Sequence, residues 1–323
     1  MNILFFDHFF HQDIDALKAA NPGHEIFVVP FLYIRWQARR VLGDRIVDGE
    51  LELFNQAETK EKRERWHAKS RKIFTELRGV FQFDCFVTPS DSFCYIRDFI
   101  KICQAEGIPV LVLQKETSIS PYTMETHSKR IGKEYPFISD KMLVCSRRQK
   151  QFWLNAGAPE SKILISGQPR FDIYAHPKQQ IKWSDVGYDF ASNERVVLFF
   201  SYDLDAYAPK QDASRQTSTW ASLREETENA LRTLADDGYQ ILIKPHPQQR
   251  GTNEVRRLKK MMGNHWNKRV HWVDRMADTR LLIILADCIV GFQTTGLYEA
   301  MMAQKKIVYT HWSDSVLQAA ESL

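Results

Sequence analysis

The chain reads as an α/β protein made of two Rossmann-like, doubly wound domains that face each other. Three observations carry this. Short apolar runs recur along the sequence with stretches of helical periodicity between them, the alternation that builds a parallel sheet covered by helices on both faces. A polar, irregular stretch breaks that alternation at 173–194, and the same grammar then starts again. Finally, 323 residues are too many for one ordinary core and suit two, at about 100 to 200 residues per domain. The expected domains are 1–172 and 195–323, with 173–194 as the linker.

The first strand is Ile3 to Phe6, closed by Asp7, and the second is Glu25 to Pro30 after the turn text Asn21-Pro22-Gly23. Leu51 to Phe81 has helical periodicity; its charged run Lys60 to Lys72 mixes signs at helical spacing and reads as a solvated face without chemistry. Asp84 to Thr88, Pro109 to Gln114, Lys141 to Ser146 and Lys162 to Ser166 supply further strands, with helices at Tyr95 to Ala105 and Arg147 to Ala156. In the second half, strands are expected at Arg195 to Ser201, Gln240 to Lys244, Val270 to Val273, Asp287 to Gly291 and Lys306 to Thr310. The intervening helices are Ser222 to Asp236, Glu254 to Met262, Thr279 to Leu285 and Thr295 to Ala303.

Composition narrows the class. With 44% hydrophobic and 26% charged residues, wholesale disorder is excluded. No apolar run approaches the roughly 20 residues of a membrane span, and Met1 to Phe10 has no basic leader, so a cytoplasmic protein is expected. The net charge of +4 is spread over 44 basic and 40 acidic residues, which makes no demand for nucleic acid. Cys85, Cys94, Cys103, Cys145 and Cys288 are odd in number and lack a CxxC pair, so neither a disulfide framework nor a zinc site is indicated, and no metal is expected.

Ligands of doubly wound sheets lie outside the carboxyl ends of the strands, and the informative strings sit there. Strand Gln240 to Lys244 runs into Pro245-His246-Pro247. Two prolines stiffen the backbone around an imidazole whose ordinary pKa of about 6.5 lets it donate to, or protonate, a phosphate near neutrality. A capping histidine in a tight turn accounts for the same text. Strand Asp287 to Gly291 runs into Phe292-Gln293-Thr294-Thr295-Gly296, where hydroxyls and amides at a helix start can converge on an anion. Glu299, one turn on, either bonds a ribose hydroxyl or caps the helix. The combination of the two strand exits in one half-domain points to a nucleotide-phosphate site built from Lys244, His246, Gln293, Thr294, Thr295, Gly296 and Glu299.

Other strand ends carry charge. Gly167-Gln168-Pro169-Arg170 follows Lys162 to Ser166, and Arg170 would bind phosphate in the cleft or clamp Asp172. Glu116 and Asp203 stand at exits in opposite halves and are candidate catalytic carboxylates, as base or as stabiliser of an oxocarbenium-like centre; Asp205 is a further cleft carboxylate. Loop carboxylates that cap helices explain each of them equally well. Phe31 to Arg40 (FLYIRWQARR) mixes aromatics with three arginines, as a helix lying on anionic lipid does, or as acceptor-side surface or ordinary packing does.

The strings IKPHP and GFQTTGLYEAMMAQKKIVY, with SDKMLVCSRRQKQFWLNAG and KILISGQPRFD upstream, resemble those of bacterial surface-carbohydrate glycosyltransferases of the GT-B type, including capsule polysaccharide enzymes and CDP-glycerol glycerophosphotransferases. The resemblance spans most of Lys141 to Thr310. It implies transfer of a sugar from a cytidine-activated donor such as CMP-Kdo to a glycan or lipid-linked glycan hydroxyl, at the inner face of the cytoplasmic membrane and with no cofactor besides the donor. His246 would contact the donor phosphate, Thr294 and Thr295 would hold it, and Glu299 and Arg170 match the nucleotide-side glutamate and the Gly-x-Pro-Arg-x-Asp turn. Two features depart from the pattern. A Thr-Thr pair preceded by Gln293 replaces the Ser-Ser or Ser-Thr of sialyl and polyol transferases, and the acidic base motif of polysialyltransferases is absent, its role falling to Glu116. The text also stops at Leu323, before the helix with which such enzymes return to their first domain, so the resemblance implies a piece of a longer protein. The competing readings are a CDP-polyol phosphotransferase, a nucleotide-sugar 2-epimerase and a noncatalytic nucleotide-binding scaffold.

Overall fold

The computed structural model describes residues 1–7, 11–47, 51–114, 119, 124–175, 181–201, 213–246, 252–292 and 294–310. The chain divides into two compact units, Met1–Arg170 and Phe171–Leu323.

In the first unit β1 (Asn2–Asp7), α1 (His11–Ala20), β2 (Glu25–Pro30), α2 (Phe31–Leu42), α3 (Asp44–Val47), α4 (Leu51–Phe54) and α5 (Lys60–Val80) come first. They are followed by β3 (Cys85–Thr88), α6 (Cys94–Ala105), β4 (Val110–Leu113), α7 (Met124–Glu134), β5 (Lys141–Val144), α8 (Arg147–Asn155) and β6 (Ile163–Ile165). The six strands are parallel in the order β2-β1-β3-β4-β5-β6. Aromatic side chains dominate the interior: Phe6, Phe86 and Phe99 meet ring to ring at 4.6 to 5.0 Å, and Trp66 of α5 is fully buried with its indole N–H donating to the Tyr95 carbonyl at 3.0 Å. That bond satisfies the one polar atom a buried tryptophan brings inside. Along α5 Trp66, Ser70, Ile73 and Phe74 face inward at helical spacing, while most of the Lys60–Lys72 run stays in solvent.

The second unit has α9 (Asp172–Ala175), β7 (Val196–Ser201), α10 (Ala213–Asp236), β8 (Gln240–Pro245), α11 (Thr252–Met262), β9 (Val270–Trp272), α12 (Thr279–Leu285), β10 (Cys288–Gly291), α13 (Gly296–Met302) and β11 (Lys306–Tyr309). Its five strands are parallel in the order β11-β10-β7-β8-β9. β7 and β8 are buried at every position, as strands covered on both faces must be. Alternation along the strands splits the core in two. Val197, Phe199, Ile241, Ile243 and Val290 pack with α10 and α11, whereas Val196, Leu198, Phe200, Leu242 and Ile289 pack with α12 and α13. Trp183, Tyr188 and Phe190, from the stretch expected as linker, pack on the α12 and α13 side of this unit.

Two features hold the strand exits in place. Asp278 caps α12 through the Arg280 amide at 2.9 Å. The fully buried Glu228 of α10 accepts from both terminal nitrogens of Arg257 of α11 at 2.6 and 2.7 Å, with Glu254 beside them, so α11 is tied to α10 near its first turns.

Candidate functional site

In the second unit the strand order reverses once, between β7 and β10, and such a reversal opens a crevice at the carboxyl ends of the flanking strands. The register lines up Gly291, Phe200 and Lys244 in one row across β10, β7 and β8. All three belong to the face covered by α12 and α13: Phe200 packs there, and Lys244 is two residues on from Leu242, which does too.

Lys244 is 3% exposed and its Nζ donates to the Arg275 carbonyl at 2.6 Å. Burial pulls its ammonium down to about 8, against the opposing charges of Asp274 and Asp278. His246 is half-buried just beyond it; burial first, and the Lys244 charge second, hold the imidazole below its ordinary range. A ring held toward its neutral form thus lies within the field of the Lys244 cation.

At the exit of β10, Thr294 Oγ1 accepts from the Gly296 amide at 3.2 Å. Thr295 occupies the N-cap position of α13 but makes no side-chain cap bond. Gly296 has a packing reason to be glycine: a Cβ there would stand 2.7 Å from the Phe200 ring. Glu299 is 8% exposed and its Oε2 accepts from the Tyr174 hydroxyl at 2.7 Å. Burial, then the Glu299 charge, push the Tyr174 phenol up, so it stays a donor. Arg280 completes this group. Burial works against its charge, but hydrogen bonding to Asp278 at 2.7 Å and the nearby Glu299 carboxylate outweigh that. Tyr174 and Arg280 were not singled out by the sequence; the only local signal was the Asp278 cap before α12.

The remaining expected residues fall elsewhere. Glu116, Asp203, Asp205 and Gln293 lie outside the described residues. Arg170 belongs to the first unit, where Gly167 takes φ 72 and the following turn brings the buried Arg170 to Asp13 of α1. Its amide donates to Asp13 Oδ1 at 3.0 Å and its guanidinium stands 3.7 Å from Oδ2. The clamp expected with Asp172 is therefore made with Asp13: a partner 157 positions away is invisible to local reading. Another buried carboxylate, Asp91, accepts from the Ile138 and Ser139 amides at 2.9 and 3.2 Å after β3. Among the described residues no group of three His, Cys, Asp or Glu side chains is arranged to hold a metal ion, and no helix is long and apolar enough to cross a membrane.

No protein-family model matches the sequence. No curated protein matches it either. Solved structures do. UDP-GlcNAc 2-epimerase from Neisseria meningitidis bound to UDP-GlcNAc is similar at TM-score 0.55 and 13% identity, over 99% of this chain and 85% of that one. UDP-GlcNAc 2-epimerase from Methanocaldococcus jannaschii gives 0.55 and 12%, over 99% and 86%. The S. aureus MnaA-UDP structure gives 0.52 and 13%, over 95% and 78%. At these identities the likeness defines the fold: an α/β protein with parallel sheets of six and five strands, matching the GT-B-like fold of the epimerases.

Proposed function

We propose that this chain is a nucleotide-sugar enzyme, a glycosyltransferase whose second unit holds the nucleoside-phosphate portion of the donor. The observation that carries the reading is the placement of Lys244 and His246 at the exit of β8 and of Thr294 and Thr295 at the exit of β10, on one edge of one sheet and beside the strand-order reversal. β7 runs between them, so the two exits are about 10 Å apart at the backbone, two strand spacings. Two linked phosphoryl groups bridge such a gap better than one, which favours a nucleoside diphosphate sugar over the CMP-linked donor that the resemblance implies. The solved structures that carry UDP or UDP-GlcNAc on this fold support the same choice.

In the reaction, an acceptor hydroxyl oxygen bonds to the anomeric carbon while the bond from that carbon to the phosphate oxygen breaks. The leaving phosphate takes the electron pair; the Lys244 ammonium and a hydrogen bond donated by the His246 ring N–H stabilise it, with the Thr294 and Thr295 hydroxyls as preorganised donors. Glu299, oriented by Tyr174, accepts from a ribose hydroxyl. Glu116 takes the acceptor proton and Asp203 stabilises the sugar cation.

A thermal-shift panel of UDP, CDP, GDP and CMP tests the binding half, since a ligand at about 100 times its Kd adds ~2.7 kcal/mol to the folded state. A nucleoside diphosphate should raise the melting temperature more than CMP, and His246→Ala should weaken that response. No response to any nucleotide, or an unaltered one in the variant, would refute the site. The second reading is a UDP-GlcNAc 2-epimerase, favoured by the three structural matches. Incubation with UDP-GlcNAc alone separates the two, because an epimerase turns over without an acceptor.

A further inference from the structure

We propose that the stretch 183–194 is a detachable strap on the second unit, released when His271 of β9 takes up a proton. This goes beyond the nucleotide-sugar reading and needs no ligand. The strap opens with a single tight helical turn at Trp183–Val186, closed by Gly187 in the left-handed conformation at φ 83. It then lays aromatic rings over the sheet: Phe190 stands 5.1 Å from Tyr188 and 5.2 Å from Trp183. The His271 ring meets Tyr188 at 5.6 Å and Phe190 at 5.4 Å, so strap and strand touch through an imidazole.

Polar side chains lie beneath these rings, on a face that is otherwise apolar. Register pairs His271 with Leu242, which packs on the face covered by α12 and α13, and Gln240 is two residues before Leu242 on the same face. Gln240 Nε2 donates to Glu194 Oε1 at 2.7 Å, which turns its own Oε1 toward His271 Nε2 at 3.0 Å, so the ring nitrogen is the donor there. Arg269 Nη1 donates to the same Glu194 oxygen at 2.8 Å, and the Ala191 amide to the other at 3.0 Å. The charged and titratable groups around the ring are thus Glu194 at the end of the strap, Arg269 before β9, and the Tyr188 phenol, which burial pushes up and keeps neutral. Burial holds the imidazole below its ordinary range, against the Glu194 charge and a backbone hydrogen bond at Lys268. Glu194 is held below the usual carboxylate range by the Gln240 bond first and the Ala191 amide second, so it stays charged while the ring titrates. The ring therefore binds a proton more readily once Tyr188 and Phe190 have lifted away, and acid favours the open strap. Trp183, Tyr188 and Phe190 share a core cluster with Leu282 and Ile283 of α12, so release bares an apolar face.

Hydrogen exchange of the full chain from about pH 7.5 to about pH 5, across the histidine range and corrected for the intrinsic rate, tests the proposal. The Gly187, Tyr188 and Glu194 amides are bonded within the strap, to the Ser184, Trp183 and Ala191 carbonyls. They should lose protection as pH falls below about 6.5, by up to about tenfold per unit, until the loss levels off at the ring's native midpoint. The amides of β7 and β8 should keep theirs. His271→Gln retains an amide donor for Gln240 and takes up no proton, so its strap should be equally protected at both ends of the range. Unchanged protection in the wild type, or the same acid loss in the variant, overturns the proposal. So does an equal loss throughout the second unit, which is global unfolding and not release of the strap. Should the variant fail to fold, NMR titration of the wild-type histidine rings decides. A His271 midpoint below about 6.5, at the pH where the loss levels off, supports the latch, and any other value overturns it. None of these readouts involves nucleotide, so failure here leaves the nucleotide-site reading to its own test.

Discussion

Lys244 is an ammonium placed at the end of a strand in which every neighbour is apolar or buried, and its low pKa of about 8 follows from that position. The native state binds fewer protons there than the unfolded chain does, so stability contributed by this group rises between about pH 8 and the ordinary lysine range and is lost as pH falls back through it. Anion binding has the opposite slope. Affinity for a nucleoside diphosphate should fall as pH rises through about 8, by up to about tenfold per unit, because the cation disappears. His246, also depressed, acts in the same direction at lower pH, where it gains its proton. Calorimetric titration with UDP above pH 7, clear of the phosphate's own titration, checks this, and Lys244→Met should flatten the profile; a flat wild-type profile would remove Lys244 from the site. At this scale the sequence was legible where a residue is marked by its immediate neighbours. His246 stands out between two prolines at a strand exit, and Thr294 and Thr295 precede a glycine. Tyr174 is not marked at all, since its hydroxyl meets a carboxylate 125 positions away.

At the scale of elements, the start of α13 is governed by contact between Phe200 on β7 and the glycine that opens the helix. Gly296→Ala would set a methyl 2.7 Å from that ring, so the ring or the helix must move. The expected loss is about 1 to 3 kcal/mol of stability, the usual cost of overpacking. Phe200→Leu in the Gly296→Ala background should recover part of the loss, which a double-mutant cycle in urea would detect. A Gly296→Ala protein as stable as wild type would show that the glycine is there for another reason. The glycine itself was legible as a helix-start residue, but the aromatic ring that requires it was not. Periodicity found the solvated face of α5 along Lys60 to Lys72 and the buried strands because burial repeats every 3.6 or 2 residues along a single element. Most ends of elements moved by one or two residues, as at β8, which continues into Pro245, while α10 starts at Ala213, nine residues before Ser222, and the periodic stretch Leu51 to Phe81 divides into α4 and α5, because caps and neighbouring elements set these ends.

Over the whole molecule, each hydrophobic cluster is built from residues of one unit: Leu4, Phe6, Phe86 and their neighbours in the first, Phe199, Ile243, Leu282 and theirs in the second. Chains with two cores depart from two-state unfolding. Scanning calorimetry should resolve two transitions, and a saturating nucleoside diphosphate should raise the one belonging to the second unit, where Lys244, His246 and the threonine pair lie. One transition with equal calorimetric and van't Hoff enthalpies would contradict the two-core description, and a ligand that moves only the first unit's transition would contradict the assignment of the site.

By itself the amino-acid order determined that this is an α/β protein with parallel sheets, where its strands and several of its helices fall, and that a histidine and a threonine pair stand at two strand exits of the second half. These are properties of short windows, readable because side-chain periodicity, prolines and glycines act on the backbone within a few residues. The tertiary structure alone decided the strand orders, and with them that β7 separates the exits of β8 and β10. It also decided that Arg170 answers to Asp13 and Glu299 to Tyr174, and that Gly296 makes room for Phe200. Such partners are chosen by packing in space, where separation along the chain counts for nothing, and no window of sequence contains both members of the pair.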